Sequence, residues 1–325
     1  MLSSGVGTVA ALLLAGMIGS AHAQTFARLE AHPFATKTMT QEQFLKGETG
    51  KDNFISGYMR IPGPILSMDK RPAVIFMPGL GGMYSAVHDR WAEDILSTGT
   101  AVFVVDSFVG RKLYTLPEHA QFPHLVRMLD AYAALEYLRG NPRIDPNRIA
   151  ILGLSGGAVA SLYSSAERFR KLYGNGDMTF AAHIAIYPPC QTVFRDETKT
   201  TGKPIRIFHG LADDWNSIEP CRGYVERLKG AGQDATITEL TDAHHSFDWP
   251  IFQQANKFPQ VATLRKCSLE ERDLGVIINA KTGRPFTPGD ECVEKGTTVA
   301  YHAAAHQQTV DSVKALLTEV FGLNK

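Results

Sequence analysis

The stretch Ile149-Ala150-Ile151-Leu152-Gly153-Leu154-Ser155-Gly156-Gly157-Ala158 decides how this chain is read. Its first four residues form a short apolar run with the length of a strand buried on both faces. Residues from Ala158 to Phe169 read as a helix. Between the two lies G-x-S-x-G, the pattern of a sharp strand-to-helix turn that lifts a serine hydroxyl above a sheet. The glycines are expected because a side chain at Gly153 or Gly157 would collide with the neighbouring strand or helix. Ser155 then stands at a helix N-terminus, where the Gly156 amide can donate to a developing oxyanion.

Working outward, strands and helices alternate. Phe54 to Ile61, Ala73 to Met77, Ala101 to Val105, Ala182 to Tyr187, Ile205 to Phe208 and Ala235 to Leu240 read as strands. Helices are expected over Ala86 to Leu96, Pro123 to Arg139, Cys221 to Gly230 and Val299 to Phe321. The second shows an apolar stripe at Leu125, Met128, Leu129, Tyr132 and Leu135, and Gly140 with Pro142 ends it. This alternation predicts an α/β fold with a mostly parallel central sheet and helices on both faces. Residues Gln24 to Asp52 look polar and irregular. Residues 249–298, rich in Gly, Pro and charge, read as an insertion in a single domain spanning 24–325.

A serine on such a turn is followed along the chain by an acid and then a histidine. Phe208-His209-Gly210-Leu211-Ala212-Asp213-Asp214 leaves a strand and ends in two carboxylates. Asp213 is favoured as the group that orients the imidazole, with Asp214 open as the alternative. Thr241-Asp242-Ala243-His244-His245-Ser246-Phe247 follows the last sheet strand. His245 is the expected base and His244 the alternative. Of the 11 histidines, only this pair lies after the acid and before the final helix.

A second oxyanion donor is expected from Pro78-Gly79-Leu80-Gly81-Gly82, at the amide of Leu80, where glycines allow close backbone approach. No Lys-Ser/Thr comes after it, so this is not a phosphate loop. Arg111, past the strand end at Asp106, is a candidate for binding a substrate carboxylate, or a surface arginine bridging loops. Trp215 is a candidate pocket wall, or core filling beneath the acid loop.

These segments resemble the dienelactone hydrolase family of the α/β-hydrolase superfamily. The resemblance rests on Arg143-Ile144-Asp145-Pro146-Asn147-Arg148-Ile149 leading into Gly153–Gly157, on His209-Gly210-Leu211-Ala212-Asp213, and on Ala243-His244-His245-Ser246-Phe247. It runs from about Ala73 to Phe247 and includes the C-terminal helix. In the family pattern the acid is third after His-Gly and the histidine stands two before Phe, which selects Asp213 and His245. The resemblance implies hydrolysis of a carboxylic ester or lactone without metal or cofactor. The founding members carry a cysteine nucleophile. Ser155 departs from them and resembles general esterases, acyl hydrolases and polyester-degrading relatives. Peptide or amide hydrolysis by the same three residues, and a hydrolase-like binding protein, are the competing readings. The first lacks a propeller or cap domain, and the second ordinarily has a broken triad.

The 325 residues carry no formal net charge, 44% are hydrophobic and 20% charged, and no basic stripe stands out. That composition argues against nucleic acid as a partner. Val6 to Ile18 is small and apolar, and Ala21-His22-Ala23 has the A-x-A form. With Gln24 as the expected mature start, 1–23 reads as a signal peptide of a secreted or periplasmic protein, although its n-region has no Lys or Arg. The apolar run is too short for a comfortable membrane span. The four cysteines form no C-x-x-C and lack zinc spacing. An even number in an exported chain implies disulfides, with free thiols as the alternative. Cys190 and Cys221 follow strands on one sheet edge, whereas Cys267 and Cys292 bracket the insertion, so these pairings are expected.

Overall fold

A computed structural model describes residues 28–63, 69–84, 86–273 and 275–323. The expected signal segment and its cleavage point at Gln24 lie outside them. In chain order the elements are β1 (Glu30–Thr38), α1 (Gln41–Lys46), β2 (Lys51–Arg60), β3 (Arg71–Met77), α2 (Val87–Leu96), β4 (Ala101–Asp106), α3 (Leu116–Gln121) and α4 (Met128–Arg139). Then come β5 (Ile144–Leu154), α5 (Gly156–Tyr163), α6 (Glu167–Tyr173), β6 (His183–Ile186), β7 (Thr192–Val193), β8 (Ile205–Gly210), α7 (Glu219–Gly230) and β9 (Ala235–Leu240). The last are β10 (Asn256–Thr263), β11 (Leu269–Glu271), β12 (Ile277–Asn279), β13 (Glu294–Val299) and α8 (Ala303–Phe321).

Eight strands form the central sheet in the order β1-β2-β4-β3-β5-β6-β8-β9. The strands from β4 to β9 are mutually parallel, and β1 and β2 add an antiparallel edge. Side chains alternate between the two faces. Thus Ala73, Ile75 and Met77 of β3 join one apolar cluster with α1, α4, α5, α6 and α7, while Val74 and Phe76 join another with α2 and α8. A strand buried on both faces cannot alternate with polar residues, which is why the apolar runs at β3, β4 and β5 are continuous. On α8, Val310, Val313, Leu317 and Phe321 are buried, and each such side chain contributes about 1.5–3 kcal/mol by leaving water.

Three expectations change. The stretch read as irregular holds β1 and α1. In α1, Thr40 accepts from the Gln43 amide while the Gln43 side chain accepts from the Thr40 amide, and Gly47 ends the helix in the left-handed region. The helix expected over Ala158 to Phe169 is two helices. Ser164 and Ser165 turn their hydroxyls onto the carbonyls of Ser161 and Leu162, and the Glu167 amide is taken by the Lys199 carbonyl. The final helix begins at Ala303, because the residues before it form β13.

The insertion holds its own structure. β10 pairs antiparallel with β13, and β11 pairs with β12 and with β7. Its apolar centre is small: Cys267, Leu269 and Cys292 are buried, with Leu264, Ile277, Phe286 and Val293 packed around them. Both expected disulfides are present, Cys190–Cys221 and Cys267–Cys292, with Cα separations of 5.1 and 4.9 Å. The excursion closes on itself: the Tyr301 amide donates to the Phe252 carbonyl at 2.7 Å, and His302 to Phe247 at 2.9 Å. Among the described residues, no helix is long and apolar enough to cross a membrane.

Candidate active site

Ser155 follows the C-terminal end of β5 with φ 50° and ψ −121°, a conformation disfavoured for a residue with a Cβ and characteristic of strained functional turns. The turn has no room for side chains on either side. A Cβ on Gly153 would stand 2.3 Å from the Gly157 carbonyl oxygen, and one on Gly157 would stand 2.1 Å from that of Met77. The glycines of G-x-S-x-G are therefore required by close backbone approach. The Ser155 amide donates to Ile186 of β6 at 3.0 Å, which ties the turn to the neighbouring strand.

The structure brings His245 and Asp213 to this serine. His245 Nε2 lies 3.0 Å from Ser155 Oγ, and His245 Nδ1 lies 2.8 Å from Asp213 Oδ2. The loops after β8 and β9 carry these two residues and are bonded to each other. The Leu211 amide donates to Leu240 and the Ala212 amide to Ala243, which ties the loop of Asp213 to the loop of His245. The other oxygen of Asp213 accepts from the amides of Trp215 and Asn216, both at 2.9 Å. Burial opposes the charge on Asp213, yet the facing imidazole and these partners outweigh it and hold the carboxyl below its ordinary value.

Asp214 points the other way. Its carboxylate accepts from the amide and hydroxyl of Thr298, at 2.6 and 2.8 Å, and so binds the acid loop to β13. Arg265 donates to the Asp214 carbonyl at 2.6 Å, and Thr263 to the Trp215 carbonyl at 2.6 Å. It is His245, not His244, that meets Ser155; His244 Nδ1 is buried without a hydrogen-bond partner among the described residues.

Of the two expected oxyanion donors, the Gly156 amide occupies the first turn of α5, where no intrahelical acceptor exists. The Gly79 carbonyl accepts from the Gly82 amide at 3.1 Å, which fixes the planar peptide whose N–H belongs to Leu80. A Cβ on Gly79 would lie 3.5 Å from Ser155 Cβ, so this loop runs beside the serine. His119 contacts the Leu80 carbonyl at 2.8 Å and pins the next peptide.

Arg111 requires a correction: it is not available to a substrate. All five of its N–H groups are used, two on Asp130, one each on the carbonyls of Ser107 and Lys37, and one on Thr38 Oγ1. Its side chain is 2% exposed. It locks β1 to α4, because a bidentate pair in a dry site is stable only when every donor and acceptor is matched. Trp215 does stand at the site, with its ring centroid 4.9 Å from that of His245.

Sequence reasoning passes over the brace on the imidazole's other side. Tyr187, at φ 43°, packs its ring 4.6 Å from His245 and donates its hydroxyl to Asp248 at 2.7 Å. Trp91 donates to the other oxygen of Asp248 at 2.7 Å, and Asn216 donates to the Tyr187 carbonyl at 3.0 Å. The only signal is a lone Tyr-Pro-Pro after a strand, which carries no spacing rule. Among the described residues, no group of three or more His, Cys, Asp or Glu is placed to hold a metal ion.

No curated protein sequence matches the chain. Its fold is similar to that of a dienelactone hydrolase-like promiscuous phosphotriesterase from metagenomic libraries. The two share 15% identity over 91% of this chain and 99% of that one, at a TM-score of 0.59. It is also similar to esterase 2 of the planctomycete Thermogutta terrifontis with propionate bound (17% identity, 83% and 91% covered, TM-score 0.53). The same esterase phosphorylated by paraoxon matches at 17% identity, with 91% and 96% covered and a TM-score of 0.54. At such identities the likeness speaks for the fold alone. The sequence itself goes further: residues 55–262 match the dienelactone hydrolase family from β2 through β10, and with that match the chain belongs to the dienelactone hydrolase family.

Proposed function

We propose that this chain is an exported serine hydrolase that cleaves carboxylic esters or lactones through an acyl-enzyme. The observation that carries this reading is the line Ser155 Oγ, His245, Asp213, with contacts of 3.0 and 2.8 Å, at a strained turn opening a helix. Ser155 attacks the ester carbonyl as His245 Nε2 takes its proton. Asp213 holds Nδ1–H and stabilises the imidazolium that forms. The amides of Gly156 and Leu80 receive the oxyanion; in such sites one donor is worth about 3–4 kcal/mol. His245 returns the proton to the departing alkoxide. Water then attacks the acyl-enzyme, with His245 again as base, and releases the acid. Trp215 forms a wall of the substrate site beside the imidazole.

The chemistry needs no metal or cofactor, and the partner is a small or polymeric ester rather than nucleic acid or a bilayer. Export fits the two disulfides, which persist in oxidising compartments. The test is turnover of nitrophenyl esters of increasing acyl length by the purified protein and by Ser155→Ala. Hydrolysis that disappears with the serine is the expected result. Activity of the variant above a few per cent of the parent would remove Ser155 from its role.

A further inference from the structure

Tyr187 is linked to Ser155, Asp213 and His245 alike, and the acyl-enzyme scheme gives it no part. It stands just beyond β6, which lies between β5 and β8 in the sheet. Its φ of 43° is one that a residue with a Cβ rarely adopts. The planar peptide joining Ile186 to Tyr187 reaches both neighbouring strands. Its carbonyl accepts the Ser155 amide at 3.0 Å, and its N–H donates to the Phe208 carbonyl of β8 at 2.8 Å. The Tyr187 carbonyl accepts from the Asn216 side chain at 3.0 Å, and the Asn216 amide donates to Asp213 at 2.9 Å. The Tyr187 ring lies 4.6 Å from the imidazole of His245, centroid to centroid.

The far end of the side chain is fixed as well. Its hydroxyl donates to Asp248 at 2.7 Å, and Trp91 of α2 donates to the other oxygen of that carboxylate at 2.7 Å. Asp248 is completely buried, where each oxygen needs a donor. Burial and the carboxylates of Asp248 and Asp213 push the Tyr187 hydroxyl well above the ordinary tyrosine range, so at neutral pH it keeps its proton and donates. Phe247 meets the ring edge-on at 5.4 Å. The ring is thus held at its backbone, at its hydroxyl and along its edge. The bond from Nδ1 to Asp213 fixes one point of the His245 imidazole and leaves it free to tilt about that contact. A fixed ring packed against it opposes the tilt and keeps Nε2 on the Ser155 hydroxyl.

We propose that Tyr187 is a positioning residue of the reaction: its ring, anchored by Asp248, sets the tilt of the His245 imidazole toward Ser155. The proposal rests on the serine-hydrolase reading and deepens it. A bulky residue at positive φ is unfavourable, and its retention accords with a side chain that the site needs.

Tyr187→Leu removes the ring, and Tyr187→Phe keeps it while cutting its tie to Asp248. Three readouts apply to each variant, with thermal unfolding as the control. They are kcat and KM on nitrophenyl butyrate, the rate at which paraoxon phosphorylates Ser155, and the low-field proton resonance of His245 Nδ1–H. In the phosphorylation the Oγ–P bond forms, the bond to nitrophenolate breaks and the serine proton passes to His245. That rate depends on the imidazole and not on which ester the site prefers. Tyr187→Leu should lose about 10²-fold in kcat and in phosphorylation rate, as a misplaced reacting group does, with KM within about threefold of the parent. Its low-field resonance should broaden or vanish. Tyr187→Phe should keep the resonance and lose only about threefold to tenfold in both rates. Should the parent be phosphorylated yet hydrolyse no carboxylic ester, the substrate reading falls and the phosphorylation rates still decide the role of Tyr187. Rates in Tyr187→Leu within about threefold of the parent would overturn the proposal, as would equal losses in the Leu and Phe variants. If Tyr187→Leu does not fold, Tyr187→Phe decides alone, and rates unchanged from the parent would overturn it.

Discussion

The central sheet and the insertion after Trp249 are held together by different physics. The sheet sits between two continuous apolar clusters, and its central strands β3, β4 and β6 are buried on both faces. Among the described residues the insertion has three buried apolar ones in its small cluster, and it relies on a disulfide, on Arg265 paired with Glu294, and on short strand pairings. Yet the insertion reaches the candidate site, since Asp214 and the carbonyl of Trp215 bind it on one side while Asp213 bonds His245 on the other. Burial places Ser155, and a polar clasp steadies the loop that carries Asp213. A motif of low intrinsic stability can thus act on a site built by a stable one.

The sharpest test of this division is the pair of adjacent carboxylates. Asp213→Asn should cut kcat by on the order of 10⁴, because the histidine then takes the wrong tautomer. Asp214→Asn keeps one acceptor for Thr298 and should cost less than about tenfold. Steady-state kinetics with circular dichroism reads both. A severe defect confined to the Asp214 variant would transfer the role of acid to it and break the comparison.

The disulfides sharpen it on the side of stability. Each closes a loop of similar size, with sequence separations of 31 and 25, so the chain-entropy model gives each about 3–4 kcal/mol. Cys190→Ser/Cys221→Ser should lower the main unfolding transition, since both residues lie in a large apolar cluster. Cys267→Ser/Cys292→Ser should instead open the insertion locally, seen as faster limited proteolysis between 264 and 293 with a smaller shift in Tm. Equal effects on Tm would mean that the two regions unfold as one.

A smaller effect is expected from the clasp. Arg265→Ala frees the Asp214 carbonyl and should reduce kcat by about threefold to tenfold, the scale of one or two lost hydrogen bonds to a charged group. No change in kcat would detach the insertion from the acid loop.

Acid should weaken the sheet rather than the insertion. His183 on β6 is fully buried, and burial lowers its pKa from 6.5 to about 4. In the unfolded chain it takes up a proton near 6.5, so its stabilising effect is complete above that pH and is lost as pH falls toward 4. The linked loss is at most on the order of 3 kcal/mol. Thermal unfolding between pH 7 and 4.5 reads it, and His183→Leu should flatten the dependence. A parent profile with no slope there would refute the assignment.

Much of this is written in local sequence. The turn at Ser155 and Asp213 after β8 are legible because each follows a buried apolar run, whereas His245 follows the half-exposed edge strand β9 and is legible from its place after Asp213 and before the final helix. The bounds of those strands, and the need for Gly153 and Gly157, come from the same packing. Other features depend on distant partners. β1 shows only Phe34 and Thr36 to the interior, too few to stand out from a polar stretch. Arg111 looks free in the sequence because its partner Asp130 lies on another element, and its remaining donors meet carbonyls that no sequence pattern reveals. Tyr187 and Asp248 gather at the site only once the sheet has assembled.

The meeting of Phe252 and Tyr301 has a consequence for how this protein can change over generations. An excursion that leaves and returns at one point transmits none of its length to the rest of the chain. Doubling such a loop costs only about 0.6 kcal/mol in closure entropy. Residues could be gained or lost between these two positions without shifting α8 or the histidine loop. Length can therefore change there while Ser155 and His245 keep their places, provided that Thr263, Arg265 and Thr298 keep their bonds to the Asp214–Trp215 loop.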